Sequence, residues 1–197
     1  MSMEIKKKPS SIEVREELNR VKKQNEYNKT LKSTIYILII VASIAVLVSV
    51  LYLPVLSVQG ESMAPTLENG QILIATKSKN IQRGDIIAFN YNNKVLLKRV
   101  IATQGEVVNI KEDGTVYVNG QIIEEKYITK KSLGDVTIEL PYQVEEGKFF
   151  VMGDHRDTSI DSRSNSIGCI GKEQVLGKVS FRIWPLNQLG KVDKRLR

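Results

Sequence analysis

A run of about twenty apolar residues near the N-terminus constrains this chain more than any other feature. Between Thr34 and Leu53 the sequence carries no charged residue. About twenty such residues are enough for a helix to cross the hydrocarbon core of a bilayer. Tyr36 and Tyr52 stand near the two ends of the run, where an aromatic belt would place them. The sequence therefore predicts one membrane-spanning helix over residues 34–53.

The segment before this run indicates that the helix is an uncleaved anchor. The apolar run is too long for a signal peptide, and the basic segment ahead of it is too long for an n-region. Residues 1–33 carry seven Lys and two Arg against five Glu. Lys29 and Lys32 directly precede the span, so the positive-inside rule places residues 1–33 in the cytoplasm and the rest of the chain outside. No second run of this length follows.

Beyond Pro54 the pattern changes to short alternating segments separated by turn residues. Asn92-Asn93, Asp113-Gly114 and Asn119-Gly120 are turn signals, and Asn-Gly is the strongest two-residue hairpin signal. The pattern predicts strands over residues 71–75, 86–91, 95–103, 107–110, 116–118, 121–123, 148–152 and 175–184, the last closing the sheet. We expect a mainly β fold, an all-β barrel-like domain over residues 54–190, with a small inserted lobe at 124–146 and a basic tail at 191–197.

The composition excludes several function classes. The chain has one His and one Cys, so it can form neither an intramolecular disulfide nor a zinc site of the usual ligand set. The net charge of +7 is concentrated before the apolar run, which favours a membrane surface as the partner. No interleaving of aromatic and basic residues points to nucleic acid. We expect no cofactor and no nucleic-acid partner.

Ser62 is a candidate nucleophile, and its base is open between a histidine and a lysine. It stands in V-Q-G-E-S-M-A-P-T-L, which lacks the second glycine of a nucleophile elbow. His155 is the only histidine and would be needed for a Ser-His-Asp triad. Lys98 lies among apolar neighbours in V-L-L-K-R-V-I, and desolvation there would lower its pKa. Alternatively, Ser62 is an ordinary turn residue and Lys98 extends its side chain to solvent.

Four stretches, in order and spacing, resemble the conserved boxes of type I signal peptidases, in the compact single-span form typical of Gram-positive bacteria. They are V-Q-G-E-S-M-A-P-T-L, R-G-D-I-I-A-F at 83–89, L-K-R-V-I-A-T-Q-G-E at 97–106 and F-V-M-G-D-H-R-D-T-S-I-D-S-R at 150–163. The resemblance implies a membrane-bound serine endopeptidase on the outer face of the membrane. It would cleave signal peptides from exported preproteins after Ala-x-Ala-like sites. Its partners would be those signal peptides, membrane lipid and the protein translocation machinery.

The resemblance also implies roles for individual residues. Ser62 would be the nucleophile, with its backbone N–H as one oxyanion donor, and Lys98 the general base. Ser159 would orient the lysine amine. Gly60 stands where some members carry a serine whose hydroxyl is the second oxyanion donor. The pairs Asp161–Arg163 and Asp154–Arg99 would shape the site without reacting.

The substrate-binding surface can be carried over in the same way. Apolar pockets for the P1 and P3 side chains would be lined by Leu56, Val58, Met63, Leu96, Leu97, Val151 and Met152. The substrate would bind extended, beside residues 82–85 and 95–97. An apolar rim near residues 53–58 would dip into the lipid surface.

Two other functions remain open to test. The first is a catalytically silent chaperone or assembly factor of the same fold, against which Ser62, Lys98 and Ser159 are all present. The second is a soluble, DNA-linked Ser-Lys autoprotease. The apolar span and the lack of a helix-turn-helix signal argue against this second function.

The predicted topology can be tested by proteolysis of right-side-out vesicles. Protease added from outside should digest the region after Leu53 and spare residues 1–33, because the positive-inside rule keeps the basic segment in the cytoplasm. Immunoblotting with antibodies against each end of the chain provides the measurement. Protection of the C-terminal domain would contradict both the topology and a role in export.

Overall fold

The computed structural model of the protein describes residues 10–78 and 80–192, without the side chains of residues 48–52. Residues 1–9 of the predicted cytoplasmic segment and residues 193–197 of the predicted basic tail therefore lie outside the described residues. The expected position of the Tyr52 side chain lies outside them too. The chain separates into two compact units that divide between Val48 and Ser49.

The N-terminal unit is one continuous helix, α1 (Ser11–Tyr52). A capping box begins it: the Ser10 N–H donates to the Glu13 carboxylate at 2.8 Å, and the Glu13 N–H donates to the Ser10 hydroxyl at 3.4 Å. No glycine or proline interrupts the helix, and it ends shortly before Pro54, which disfavours helical geometry in the preceding residue. Among the described residues it is the one helix long and apolar enough to cross a membrane.

The C-terminal unit is built from two antiparallel sheets. The larger one has the strand order β1-β2-β11-β3-β4-β9-β10, with β12 paired to β11, and the smaller one has the order β7-β6-β5-β8. The strands are β1 (Val55–Ser57), β2 (Ile72–Thr76), β3 (Ile86–Tyr91), β4 (Lys94–Thr103), β5 (Val107–Ile110), β6 (Val116–Val118), β7 (Gln121–Ile122), β8 (Tyr142–Gln143), β9 (Lys148–Met152), β10 (Ile170–Gly171), β11 (Val175–Trp184) and β12 (Gly190–Lys191).

Tight turns set the register of the hairpins. Asn92 and Asn93 adopt φ values of 45° and 60° between β3 and β4, and Asn119 adopts 52° between β6 and β7. Two-residue hairpin turns of this kind require positive φ, which asparagine tolerates better than most residues. Both turns occur where the sequence predicted them.

The mainly β fold predicted from the sequence is confirmed, with two corrections of detail. The strand at 175–184 does not close the sheet but lies inside it, between β2 and β3. The segment at 124–146 is only partly a separate lobe, because β8 pairs with β5 and Val144 belongs to the core of the smaller sheet. Both corrections concern long-range pairing, which alternation within one segment does not specify.

The pairing of β4 changes along its length, and this change creates a cleft. Residues from Lys94 to Lys98 pair with β3 on one side, whereas pairing with β9 begins at Arg99. The other side of this first half of β4 is therefore an open strand edge. β1 is the terminal strand of the same sheet, so it also has an open edge.

Candidate active site

A cleft of about 550 Å³ lies between these two open strand edges. One side is formed by β1 and the residues that follow it, and the other side by the first half of β4. Its lining consists of Val55, Leu56, Ser57, Val58, Gln59, Gly60, Ser62, Met63, Lys94, Val95, Leu96, Leu97 and Lys98. The two residues predicted to react, Ser62 and Lys98, thus face the same cavity although 36 positions separate them in the chain.

Ser62 lies on a loop whose base and flanks are fixed. The Val58 N–H donates to the Gln71 carbonyl at 2.8 Å, and the Gly70 N–H donates to the Val58 carbonyl at 2.9 Å, which closes the loop. Met63 and Leu67 are buried in a core cluster shared with Val58. The flanking side chains anchor the loop, and Ser62 itself stays half-buried at the cleft.

Lys98 is buried, and burial weakens its hold on a proton. Its side chain is 4% exposed, and its amine donates to the Ser159 hydroxyl at 3.0 Å. Desolvation lowers the pKa of Lys98 from 10.5 to about 8, because an ammonium is poorly stabilised away from water. The carboxylate of Asp161 opposes that shift, and the charge of Arg163 adds to it. A useful fraction of the amine is therefore neutral near physiological pH.

Ser159 is held in turn by an aspartate–arginine pair. Its hydroxyl donates to Asp161 Oδ2 at 2.7 Å. Arg163 binds both oxygens of that carboxylate, at 2.8 Å from Nε and 2.9 Å from Nη2. Burial alone would raise the pKa of Asp161, but the hydrogen bonds and charge of Arg163, with the bonds from Ser159 and the Gly153 N–H, hold it below its usual range. Asp161 therefore accepts hydrogen bonds as a carboxylate.

A second pair connects the nucleophile loop to the strand that carries Lys98. Arg99 binds Asp154 through Nε at 2.9 Å and through Nη2 at 2.6 Å, and both side chains are fully buried. The Thr66 hydroxyl donates to Asp154 Oδ2 at 2.5 Å. The Arg99–Asp154 pair implied by the resemblance is therefore present, and it also holds Thr66, which the sequence did not single out.

A third buried pair was missed by sequence reasoning. Arg156 binds Glu125 through both terminal nitrogens, with 3.0 Å between Nη1 and Oε2, and both side chains are almost fully buried. The Tyr127 ring lies 4.0 Å beneath the guanidinium carbon of Arg99. Glu125 and Tyr127 belong to the segment predicted as an inserted lobe. A separation of about thirty residues left no local signal for either contact, and Arg156 was only one charge in a charged loop.

Gly153 allows the two serines to approach each other. A Cβ atom at this position would lie 2.2 Å from the Ser159 hydroxyl and 2.4 Å from the Ser62 carbonyl oxygen. The Ser62 carbonyl also accepts a hydrogen bond of 3.1 Å from the His155 N–H. The turn at 153–155 therefore packs against the nucleophile loop on one side and against Ser159 on the other. Only a residue without a side chain fits there.

The geometry distinguishes the two candidate bases. His155 contacts Ser62 through its backbone, whereas Lys98 lines the same cleft as Ser62. Among the described residues, no hydrogen bond joins the Ser62 hydroxyl to the Lys98 amine. Catalytic hydrogen bonds often tighten only when substrate binds, so a dyad does not require this bond in the free protein.

Five of the seven predicted pocket residues line the cleft, and two do not. Val151 and Met152 are completely buried in the core clusters behind the cleft. Both belong to β9, which begins to pair with β4 only at Arg99 and thus lies beyond the open edge.

The expectation that the substrate binds beside residues 82–85 is also wrong. The backbone there is already occupied, because the Gly84 N–H donates to the Val100 carbonyl and the Asp85 carbonyl accepts from the Val100 N–H. The strand that faces residues 95–97 across the cleft is instead β1. Within residues 10–78 and 80–192, no group of three or more His, Cys, Asp or Glu is placed to hold a metal ion.

Several known proteins are similar to this chain. The family described as "Signal peptidase, peptidase S26" matches residues 30–184. Signal peptidase I of Bacillus licheniformis is 38% identical over 156 residues, covering 73% of this chain and 82% of the relative. Signal peptidase IB of Staphylococcus aureus (strain Mu50 / ATCC 700699) is 37% identical over 153 residues, covering 67% and 78%. A crystal structure of a signal peptidase I from Enterococcus faecalis V583 is 32% identical, covers 51% of this chain and 97% of that chain, and has a TM-score of 0.43.

The buried amine of Lys98 should lower the stability of the folded protein at neutral pH. Its folded pKa of about 8 lies below the unfolded value of ~10.4, so at pH 7 folding costs roughly 3 kcal/mol for keeping the buried amine charged. Lys98→Met has a similar volume and no charge. We predict that this variant unfolds at the same temperature as wild type at pH 7, or at a higher one, by near-UV circular dichroism of the full chain in detergent.

The pH dependence of the comparison provides its control. Between pH 8 and about pH 10.4 the unfolded lysine binds a proton that the folded lysine has released, so wild type gains stability as pH rises. The advantage of Lys98→Met should therefore shrink over that interval. A variant clearly less stable than wild type at pH 7 would identify Lys98 as a charged structural residue.

Proposed function

From the premise that this chain belongs to the signal peptidase family, peptidase S26, we propose that Ser62 and Lys98 form its catalytic dyad. The chain is a serine endopeptidase, and its membership of this family supports the removal of signal peptides as its activity. We further propose that it is anchored in the membrane by α1 and cleaves exported preproteins after Ala-x-Ala-like sites. The observation that carries the proposal is the buried Lys98 amine, facing the same cleft as Ser62 with its pKa lowered to about 8.

The reaction begins with proton transfer between these two side chains. The neutral Lys98 amine accepts the proton of the Ser62 hydroxyl as the oxygen attacks the scissile carbonyl. The tetrahedral intermediate then collapses, the C–N bond breaks, and the Lys98 ammonium gives its proton to the leaving amine. This step leaves an acyl-enzyme on Ser62. A water molecule, activated by the same amine, then hydrolyses the ester and restores the free hydroxyl.

Ser159 supports this proton cycle by position. Its hydroxyl donates to Asp161, so its lone pair is directed at the Lys98 amine and accepts a hydrogen bond from it. That arrangement fixes the long lysine side chain at the cleft. Since Arg163 largely neutralises Asp161, the carboxylate orients Ser159 without restoring the full basicity of the lysine.

The loop supplies one clear oxyanion donor. Among the described residues, the Ser62 N–H makes no hydrogen bond to the protein, so it is free to donate to the developing oxyanion. Gly60 carries no hydroxyl, and its N–H already donates to the Asn69 side chain at 3.1 Å. The second donor is therefore a backbone N–H other than that of Gly60, or a water molecule.

The substrate fits between the two open strand edges. An extended peptide would add a strand beside residues 95–97 of β4 and beside β1, forming main-chain hydrogen bonds with either edge. Its alternate side chains would enter the shallow apolar pockets around Leu56, Val58, Met63, Leu96 and Leu97. Two of these residues, Val58 and Met63, are buried core residues that cannot retreat, so the pockets favour small side chains such as alanine at P1 and P3.

The same site implies where the protein acts. The basic segment before the apolar α1 supports an orientation with the catalytic unit on the extracytoplasmic face of the cell membrane. Val55, at the start of β1, is 57% exposed and supports an apolar rim in contact with membrane lipid. Preproteins reach this face through the protein translocation machinery, which is therefore an expected partner.

The alternative of a silent chaperone or assembly factor predicts binding without turnover. Lys98 would then have no reason to remain buried at a cost in stability, and an uncharged residue would serve better. Incubating the purified full chain with a labelled preprotein separates the two functions, since the chaperone would bind the preprotein and leave it uncleaved.

Substitution of either dyad residue should abolish cleavage. We predict that Ser62→Ala and Lys98→Ala each remove processing of the preprotein, and that the double variant is no worse than either one, because the two groups act as a unit. Membrane insertion and the circular dichroism spectrum should be unchanged. His155→Ala should keep most activity. An inactive His155→Ala together with an active Lys98→Ala would favour a histidine-based triad.

The rate of cleavage should rise with pH through the pKa of the Lys98 amine. Only the neutral amine accepts the serine proton, so kcat/KM should rise with pH through a midpoint near pH 8 and reach a plateau above it. An unperturbed lysine would place the midpoint near pH ~10.4. The measurement is kcat/KM against pH for the full chain in detergent. A midpoint near pH 6.5, the ordinary value for histidine, would contradict the lysine assignment.

A further inference from the structure

Asn69 lies outside the motif that contains Ser62, yet its side chain holds that motif in place. Its side-chain oxygen accepts a hydrogen bond of 3.1 Å from the Gly60 N–H, two positions before the nucleophile. The backbone beside Asn69 closes the loop, since the Gly70 N–H donates to the Val58 carbonyl at 2.9 Å. Asn69 therefore extends the closure of the loop by one further bond toward Ser62.

Gly60 needs this support because of its backbone conformation. Its φ is +83°, a value that side-chain-bearing residues rarely adopt, and a Cβ atom there would meet nothing within 4 Å. Glycine is therefore required for conformation and not for space. A glycine peptide is also the most easily reoriented unit in a chain. The Asn69 bond fixes one orientation of the peptide unit between Gln59 and Gly60.

The other side of Ser62 is held independently. The Ser62 carbonyl accepts a hydrogen bond from the His155 N–H, and Met63 is buried in the core. At Gly60, by contrast, the backbone N–H donates its hydrogen bond to a side chain. Reorientation there would displace both the Ser62 hydroxyl and its N–H, the two groups that attack and stabilise the carbonyl.

We infer that Asn69 is a positioning residue for the nucleophile, an inference that rests on the proposed function. Gly60 has no side chain that could restrict its backbone, and the hydrogen bond to Asn69 restricts it instead. Because misplacement of a reacting group by about 1 Å can cost up to roughly a hundredfold in rate, loss of one such bond should be visible in kcat. The cleft walls on β1 and β4 do not depend on Asn69, so KM should change little.

The test compares three variants of the full chain in detergent with a labelled preprotein. Asn69→Ala should lower kcat by roughly tenfold with KM within about twofold, tenfold corresponding to about 1.4 kcal/mol of barrier. Asn69→Asp keeps the accepting oxygen and should restore most of kcat. Asn119→Ala is the matched control, because the Asn119 oxygen accepts a similar bond of 2.8 Å from the Val107 N–H in the smaller sheet. It should keep the wild-type kcat.

A double variant tests whether Asn69 acts through Gly60. Gly60→Ala should lower kcat through its strained φ alone, and combining it with Asn69→Ala should cost less than the product of the two effects.

Several outcomes would overturn the inference. They are an unchanged kcat in Asn69→Ala, an Asn69→Asp variant as impaired as Asn69→Ala, or an equal loss in Asn119→Ala. If wild type cleaves no preprotein, the proposed function itself fails. If wild type cleaves and Asn69→Ala matches it, only this inference fails.

Discussion

Three buried arginine–carboxylate pairs hold the catalytic unit together around its cleft. Arg99 binds Asp154, Arg156 binds Glu125 and Arg163 binds Asp161, and all three guanidinium groups are completely buried. Removing one partner of such a pair typically costs about 3–5 kcal/mol, because the other charge stays buried without compensation. Two of the pairs, Arg99–Asp154 and Arg156–Glu125, join segments that are far apart in sequence, whereas Arg163 and Asp161 are two positions apart in one loop. Each therefore acts as a fixed point to which a catalytic segment is attached.

Among the buried cations of the described residues, Lys98 is the one that forms no ion pair with a carboxylate. Its amine faces the Ser159 hydroxyl, while Asp161 beside it is taken up by Arg163. The protein thus provides full compensation for the arginines, which must stay charged, and partial compensation for the lysine, which must lose its proton to act. The cost in stability and the larger fraction of neutral amine at physiological pH come from the same desolvation. This division of charges supports the proposed role of Lys98 as the general base.

Two open strand edges and the loop that carries Ser62 complete the site. A sheet edge offers unpaired N–H and C=O groups, which would be a hazard on an exposed surface. Here the edges of β1 and the first half of β4 face each other across the cleft. An extended peptide can pair with both. In the proposed mechanism, the loop from Val58 to Gln71, closed by its backbone hydrogen bonds, fixes where along that peptide the serine attacks.

The sequence by itself determined the apolar helix, most strand positions and two of the three ion pairs, and it predicted Ser62 and Lys98 as the reacting pair. These follow from local periodicity, turn residues and four ordered motifs. Only the tertiary structure decided the Glu125–Arg156 pair, the position of Tyr127, the place of β11 inside the sheet and the strand that faces β4 across the cleft. Each of these joins residues distant in the chain. Alternation within one strand specifies which face is buried but carries no information about which edge is its neighbour.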